Sequence, residues 1–136
     1  MEYQFALTRH FQTHYYPYLT EAQQRALMSF VRHVKAKGLG NLPGKLKRSD
    51  KVPEHYPDRE RRIKIAREYN LYHYHLGTPC WQQSGNGHYK TSDDVVILSK
   101  QVDKKAEVTT FYLVGFSSHP VELPFPQDMP EAKRKP

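Results

Sequence analysis

Apolar and polar residues alternate over Tyr3-Gln4-Phe5-Ala6-Leu7-Thr8, placing Tyr3, Phe5 and Leu7 on one side. This period of two predicts a short first strand. His10 to Tyr18 is polar and aromatic, contains Pro17, and reads as a connector. From Thr20 the period changes, with Ala26, Leu27, Phe30, Val31 and Val34 recurring at helical spacing. Thr20-Glu21-Ala22-Gln23 has the capping-box pattern, Lys35 and Lys37 suit the negative end of a helix dipole, and Gly38 supplies a stop. A helix is predicted over 20–37. Gly38 to Asp58, punctuated by proline and glycine, is predicted to be mostly loop.

Beyond it, Ile63 and Ile65 alternate with Arg62 and Lys64, which predicts a strand over 61–67. Glu68-Tyr69-Asn70 reads as a tight turn into a second strand, Leu71 to Leu76, so the two form a hairpin. Thr78 to Ser92 is a long excursion rich in Gly, Ser, Asn and Gln. The unbroken apolar run Val95-Val96-Ile97-Leu98 predicts a strand over 94–99 covered on both faces. After a turn over 103–107, Thr109 to Phe116 is the last strand, delivering Ser117-Ser118-His119-Pro120 at its end. The order predicts an α+β fold, with an N-terminal strand and helix packed on one face of a mostly antiparallel four- to five-stranded sheet. The other face is then left open to a substrate. One domain spans 1–136, with 121–136 a flexible tail.

Composition narrows the function. The 136 residues carry 21 Lys and Arg against 14 Asp and Glu, a net +7. Twelve basic and four acidic residues fall between Val31 and Arg67, making that segment +8 and the remainder −1. A polyanion is the natural partner of such a concentration, because neutralised phosphates release counterions. A solvated basic face, or a surface docking an acidic protein, gives the same composition. No apolar run spans a membrane, and the first 30 residues lack a signal peptide's apolar core, so a cytoplasmic, non-membrane protein is expected. The single Cys80 excludes an internal disulfide and a cysteine-rich zinc site. No phosphate-binding loop, Gly-x-Ser-x-Gly or dinucleotide motif is present.

Candidate chemistry centres on histidine. In a strand His73 and His75 point the same way while Tyr72 and Tyr74 point the other. The pair can contact phosphate, bind a metal given a third ligand such as His88, His119 or an acid, or hydrogen-bond within the fold. His119, just past the last strand, has an imidazole suited to proton transfer at neutral pH, or caps an ordinary loop. Lys45, Lys47 and Arg48 follow the helix and can hold phosphates. Trp81, Tyr89 and Lys90 on the long excursion can stack on bases or bind backbone.

These features, in order from Tyr3 to Pro120, resemble the toxins of bacterial toxin–antitoxin pairs in the RelE/ParE superfamily, closest to YafO-like mRNA interferases. The resemblance rests on Gly44-Lys45-Leu46-Lys47 after the helix, the basic Arg61-Arg62-Ile63-Lys64-Ile65-Ala66-Arg67, and Tyr72-His73-Tyr74-His75-Leu76. The closing strands Asp94-Val95-Val96-Ile97-Leu98 and Phe111-Tyr112-Leu113-Val114-Gly115-Phe116, then Ser118-His119-Pro120, complete it. The excursion over 78–92 and the tail depart from the compact family pattern. The resemblance implies a RelE-like fold and an endoribonuclease that cleaves translated mRNA in the ribosomal decoding site. No metal or other cofactor is needed for it, and a cognate antitoxin is the expected partner.

On that reading His119 is general acid or base, and His75 with His73 is the second proton carrier or a phosphate ligand. Arg62 and Lys64 stabilise the phosphorane. Lys45, Lys47, Arg48, Arg61, Arg67 and Lys90 bind RNA. The alternatives are a toxin of the same fold that inhibits DNA gyrase, a non-catalytic nucleic-acid-binding module, and a metal-dependent hydrolase. Acid–base histidines favour RNA over gyrase.

Overall fold

A computed structural model of the chain describes residues 1–83, 90–118 and 121–133. The first strand forms as β1 (Glu2–Leu7), followed by a short helix α1 (Arg9–His14) capped by the Thr8 hydroxyl, and a 3-10 turn over Tyr16–Tyr18. The predicted helix is α2 (Glu21–Lys37). Its capping box is complete: Gln23 N donates to Thr20 Oγ1 at 3.1 Å, and Thr20 N donates to Gln23 Oε1 at 2.8 Å. Gly38 ends it with a positive φ of 75°, a conformation that would strain a residue with a Cβ.

The remaining elements are β2 (Leu46–Arg48), α3 (Arg59–Glu68), β3 (Leu71–His75), the short pair β4 (Gln82–Gln83) and β5 (Lys90–Thr91), β6 (Asp94–Asp103) and β7 (Val108–Ser118). Five strands form one mixed sheet in the order β1-β7-β6-β3-β2. β1 runs parallel to β7, and the other pairs are antiparallel. The N-terminal strand and helix therefore pack as an α+β arrangement on a mixed sheet. Leu27, Phe30 and Val34 of α2 are buried against the first face, where Phe30 stacks on Tyr74 at 4.2 Å and meets Phe5 edge-on at 5.8 Å. Among the described residues, no helix is long and apolar enough to cross a membrane.

Four expectations are corrected. Residues 61–67 are helical, not a strand. Two alternating isoleucines mimic a strand, but Arg62, Ile65, Ala66 and Tyr69 lie at i, i+3, i+4 and i+7, and Ile65, Ala66 and Tyr69 are buried. β3 therefore forms no hairpin with 61–67; it pairs antiparallel with β6 on one side and on the other with β2, inside the segment read as loop, with Lys47 opposite His73.

The second sheet face is not open. α3 lies on it, and residues 121–133, read as part of a flexible tail, run back across it as a strap. Met129 and Ala132 are fully buried there with Leu71, Ile97 and Val114. The Ala132 carbonyl accepts from Gln101 Nε2 at 3.0 Å, and Glu131 Oε2 accepts from Arg9 N at 2.7 Å. Apolar side chains at 121, 123, 129 and 132 supply the burial that a loose tail would lack.

Candidate functional site

The uncovered remainder of the second face lies between β2, the start of α3 and the strap. It forms a cleft of about 160 Å³. Its polar lining is Lys47, Ser49, Lys51, Arg62 and His73; its apolar lining is Val52, Pro53, Tyr56, Val121 and Leu123. The described lining thus carries three permanent cations, one imidazole and no carboxylate.

Register explains which cations meet the histidine. Lys47 is opposite His73 and shares its face, whereas Arg48 is opposite Tyr72 and shares the other. Arg48 is consequently drawn into a separate cluster. It donates to Tyr72 Oη at 2.9 Å and Asn70 Oδ1 at 3.2 Å, and pairs with Asp50 at 3.4 Å. Burial alone would lift the Asp50 carboxyl, but the hydrogen bond and charge of Arg48, with Arg67 and Lys51, hold it below its ordinary range. Asp50 thereby stays ionised and occupied by Arg48 and Arg67, and it does not line the cleft.

Arg62 reaches the cleft from the first turns of α3, because it heads the stripe that faces the sheet. Its guanidinium donates to the Val121 carbonyl of the strap at 3.1 Å and sits 5.5 Å from the Tyr56 ring centroid. Lys64, expected beside it, is exposed, because two residues along a helix turn the side chain about 200° away. Arg61 is exposed over Phe125 at 5.9 Å, and Arg67 is exposed and pairs with Asp50 at 3.5 Å. Lys45 is half-buried; its carbonyl accepts from His75 N, and its N–H donates to the carbonyl of exposed Lys90.

The two histidines share a face, with ring centroids 5.9 Å apart. They do different work. His73, 8% exposed, lines the cleft with Nδ1 3.1 Å from Ser49 Oγ. His75, 4% exposed, does not line it: Ser92 N donates to its Nδ1 at 3.1 Å, and the Ser92 carbonyl lies 2.8 Å from the same nitrogen. His75 thus pins the end of the long excursion to β3.

The Trp81 indole lies against the backbone of Gly44 and Gly77, where any Cβ would overlap it, so it packs rather than offering both faces to a base. His88, Tyr89 and His119 lie outside the described residues. No group of three or more His, Cys, Asp or Glu among the described residues is placed to hold a metal ion.

Besides the aliphatic and proline residues of the walls, Ser49, Lys51 and Tyr56 are lining residues that the sequence did not single out. Lys51 was visible in the charge run, but no periodicity marks Ser49 or Tyr56 in an irregular segment. Comparison with known protein families, curated proteins and solved structures finds no match in any of the three.

Proposed function

We propose that this protein is an RNA-cleaving, RelE-like toxin acting in the cytoplasm on translated mRNA at the ribosome, with an acidic antitoxin as partner. The observation that carries the reading is the cleft itself. His73 from β3, Lys47 from β2 and Arg62 from α3 converge there with Lys51, and no carboxylate among the described residues lines the cleft. A carboxylate-free cationic cleft favours a phosphodiester, and an imidazole at its wall adds a group that exchanges protons near neutral pH.

In the proposed reaction a base takes the proton of a ribose 2′-hydroxyl, and the 2′-oxygen attacks the adjacent phosphorus. The bond from phosphorus to the 5′-oxygen breaks, and an acid returns a proton to that oxygen. The products are a 2′,3′-cyclic phosphate and a 5′-hydroxyl. His73 is one proton carrier, and His119, nominated from the sequence, is the other. Arg62, Lys47 and Lys51 stabilise the crowded, doubly charged phosphorane. Lys64 has no part in it.

A second reading, non-catalytic RNA binding, draws support from His75, which is buried and spent on Ser92. One assay separates the two. RNA end mapping in a translation reaction should give fresh 5′-hydroxyl ends with the wild type and none with His73→Ala or His119→Ala. Intact RNA that is bound by all three proteins supports the second reading. Intact RNA with stalled supercoiling by gyrase overturns both.

A further inference from the structure

Phosphate needs cations, not hydrocarbon, yet half of the cleft lining is apolar. Val52, Pro53 and the half-buried Tyr56 form one wall, held by the segment between β2 and α3. That wall is built, not loose: Tyr56 N donates to the Pro53 carbonyl at 3.1 Å, and Arg59 Nε donates to the Val52 carbonyl at 3.1 Å. At about 160 Å³ the cleft is smaller than the ~300 Å³ at which pockets begin to take whole drug-sized ligands. It has room for one ring system, with the attached phosphate left at the mouth.

We infer that the Val52–Pro53–Tyr56 wall seats a single nucleobase of single-stranded RNA, with Tyr56 as the stacking platform beside the Arg62 phosphate contact. This rests on the ribonuclease reading for its choice of polymer and deepens it to a specificity-determining residue. A base stacked within a duplex cannot enter a concave site of this size, whereas bases of single strands splay out and stack on aromatic rings. The Arg62 guanidinium 5.5 Å from the Tyr56 centroid ties the two subsites together. A nucleotide whose phosphate meets Arg62 has its base within reach of the ring.

The test uses the full chain and single-stranded 2′-O-methyl RNA oligonucleotides, which cannot be cleaved because the attacking hydroxyl is blocked. A set of them carries one abasic position each. Fluorescence anisotropy should show Tyr56→Ala weakening binding of the intact oligonucleotide by at least about fivefold, with Tyr56→Phe retaining wild-type affinity. One abasic position should weaken wild-type binding to the same degree and add nothing to the loss in Tyr56→Ala. That cancellation separates stacking from a displaced Arg62, which would leave the abasic loss in place.

An abasic loss that persists in Tyr56→Ala overturns the inference, as does a Tyr56→Ala protein that binds like the wild type. A wild-type chain that binds none of the oligonucleotides also overturns it. Tyr56-dependent binding without cleavage of the ribose form sinks the nuclease and spares the subsite. Cleavage that is indifferent to Tyr56 does the reverse.

Discussion

Replacing Met129 by alanine tests whether the C-terminal strap is part of the fold. The Met129 side chain is 0% exposed, packed with Ile65, Ala66, Leu71, Ile97 and Val114. Burying such a side chain is worth about 1.5–3 kcal/mol in transfer alone. The cavity left behind raises the expected loss to about 2–5 kcal/mol. Domains of this kind have only about 5–15 kcal/mol in total, so the variant should stand close to unfolding at physiological temperature. Urea denaturation at constant m-value measures the loss directly. Phe125→Ala is the control: its ring is 54% exposed, with the exposed Arg61 over it, so its cost should stay below about 1 kcal/mol. A Met129→Ala midpoint within about 0.5 kcal/mol of wild type would refute the strap's packing. It would also remove the support for Arg62, whose guanidinium is held by the strap's Val121 carbonyl.

Arg62→Ala should lower cleavage about 10²- to 10³-fold in a single-turnover assay, the range for losing one preorganised charge stabiliser, while Lys64→Ala leaves the rate unchanged. Equal losses at both positions would contradict the helical phase of α3. His75→Ala should cost about 1–3 kcal/mol in a denaturant titration, because the buried Ser92 backbone loses its imidazole partner. His73→Ala should instead lose at least about a hundredfold in cleavage with a smaller stability change. Asp50 is held below its unfolded pKa, so the stability it contributes is fully present above about pH 4 and is lost as the pH falls through its folded value. Asp50→Asn should therefore flatten the acid limb of a stability-against-pH curve, and an unchanged limb would contradict the assignment.

Legibility in the sequence followed the strength of each periodic signal. α2 was readable to its cap, since Thr20 and Gln23 bracket a stripe of buried residues at helical spacing. β6 was readable because Val95 through Leu98 are apolar on both faces, and both faces prove covered. α3 was misread for a physical reason: seven residues with two isoleucines fit either period, and its buried stripe begins with an arginine. That arginine heads the stripe because it serves the cleft, so the feature that concealed the helix is the one that builds the site. The cationic character of the site was visible in the run from Val31 to Arg67. Its division by the β2–β3 register, with Lys47 toward His73 and Arg48 toward Tyr72, needed the pairing partner. The two histidines looked equivalent because strand alternation records direction but not depth.

The parallel pairing of Glu2 with Val108 has a consequence for how the molecule comes into being. β1 cannot find its partner until β7 has left the ribosome. During elongation Phe5 and Phe30 wait without Phe111, against which Phe5 stacks at 5.5 Å in the finished domain. At about 5–20 residues per second, that wait lasts several seconds in every round of translation. A chain ending at residue 107 should accordingly show no cooperative melting. Until β7 emerges, a growing copy holds the aromatic side of its first strand without the partner that closes it.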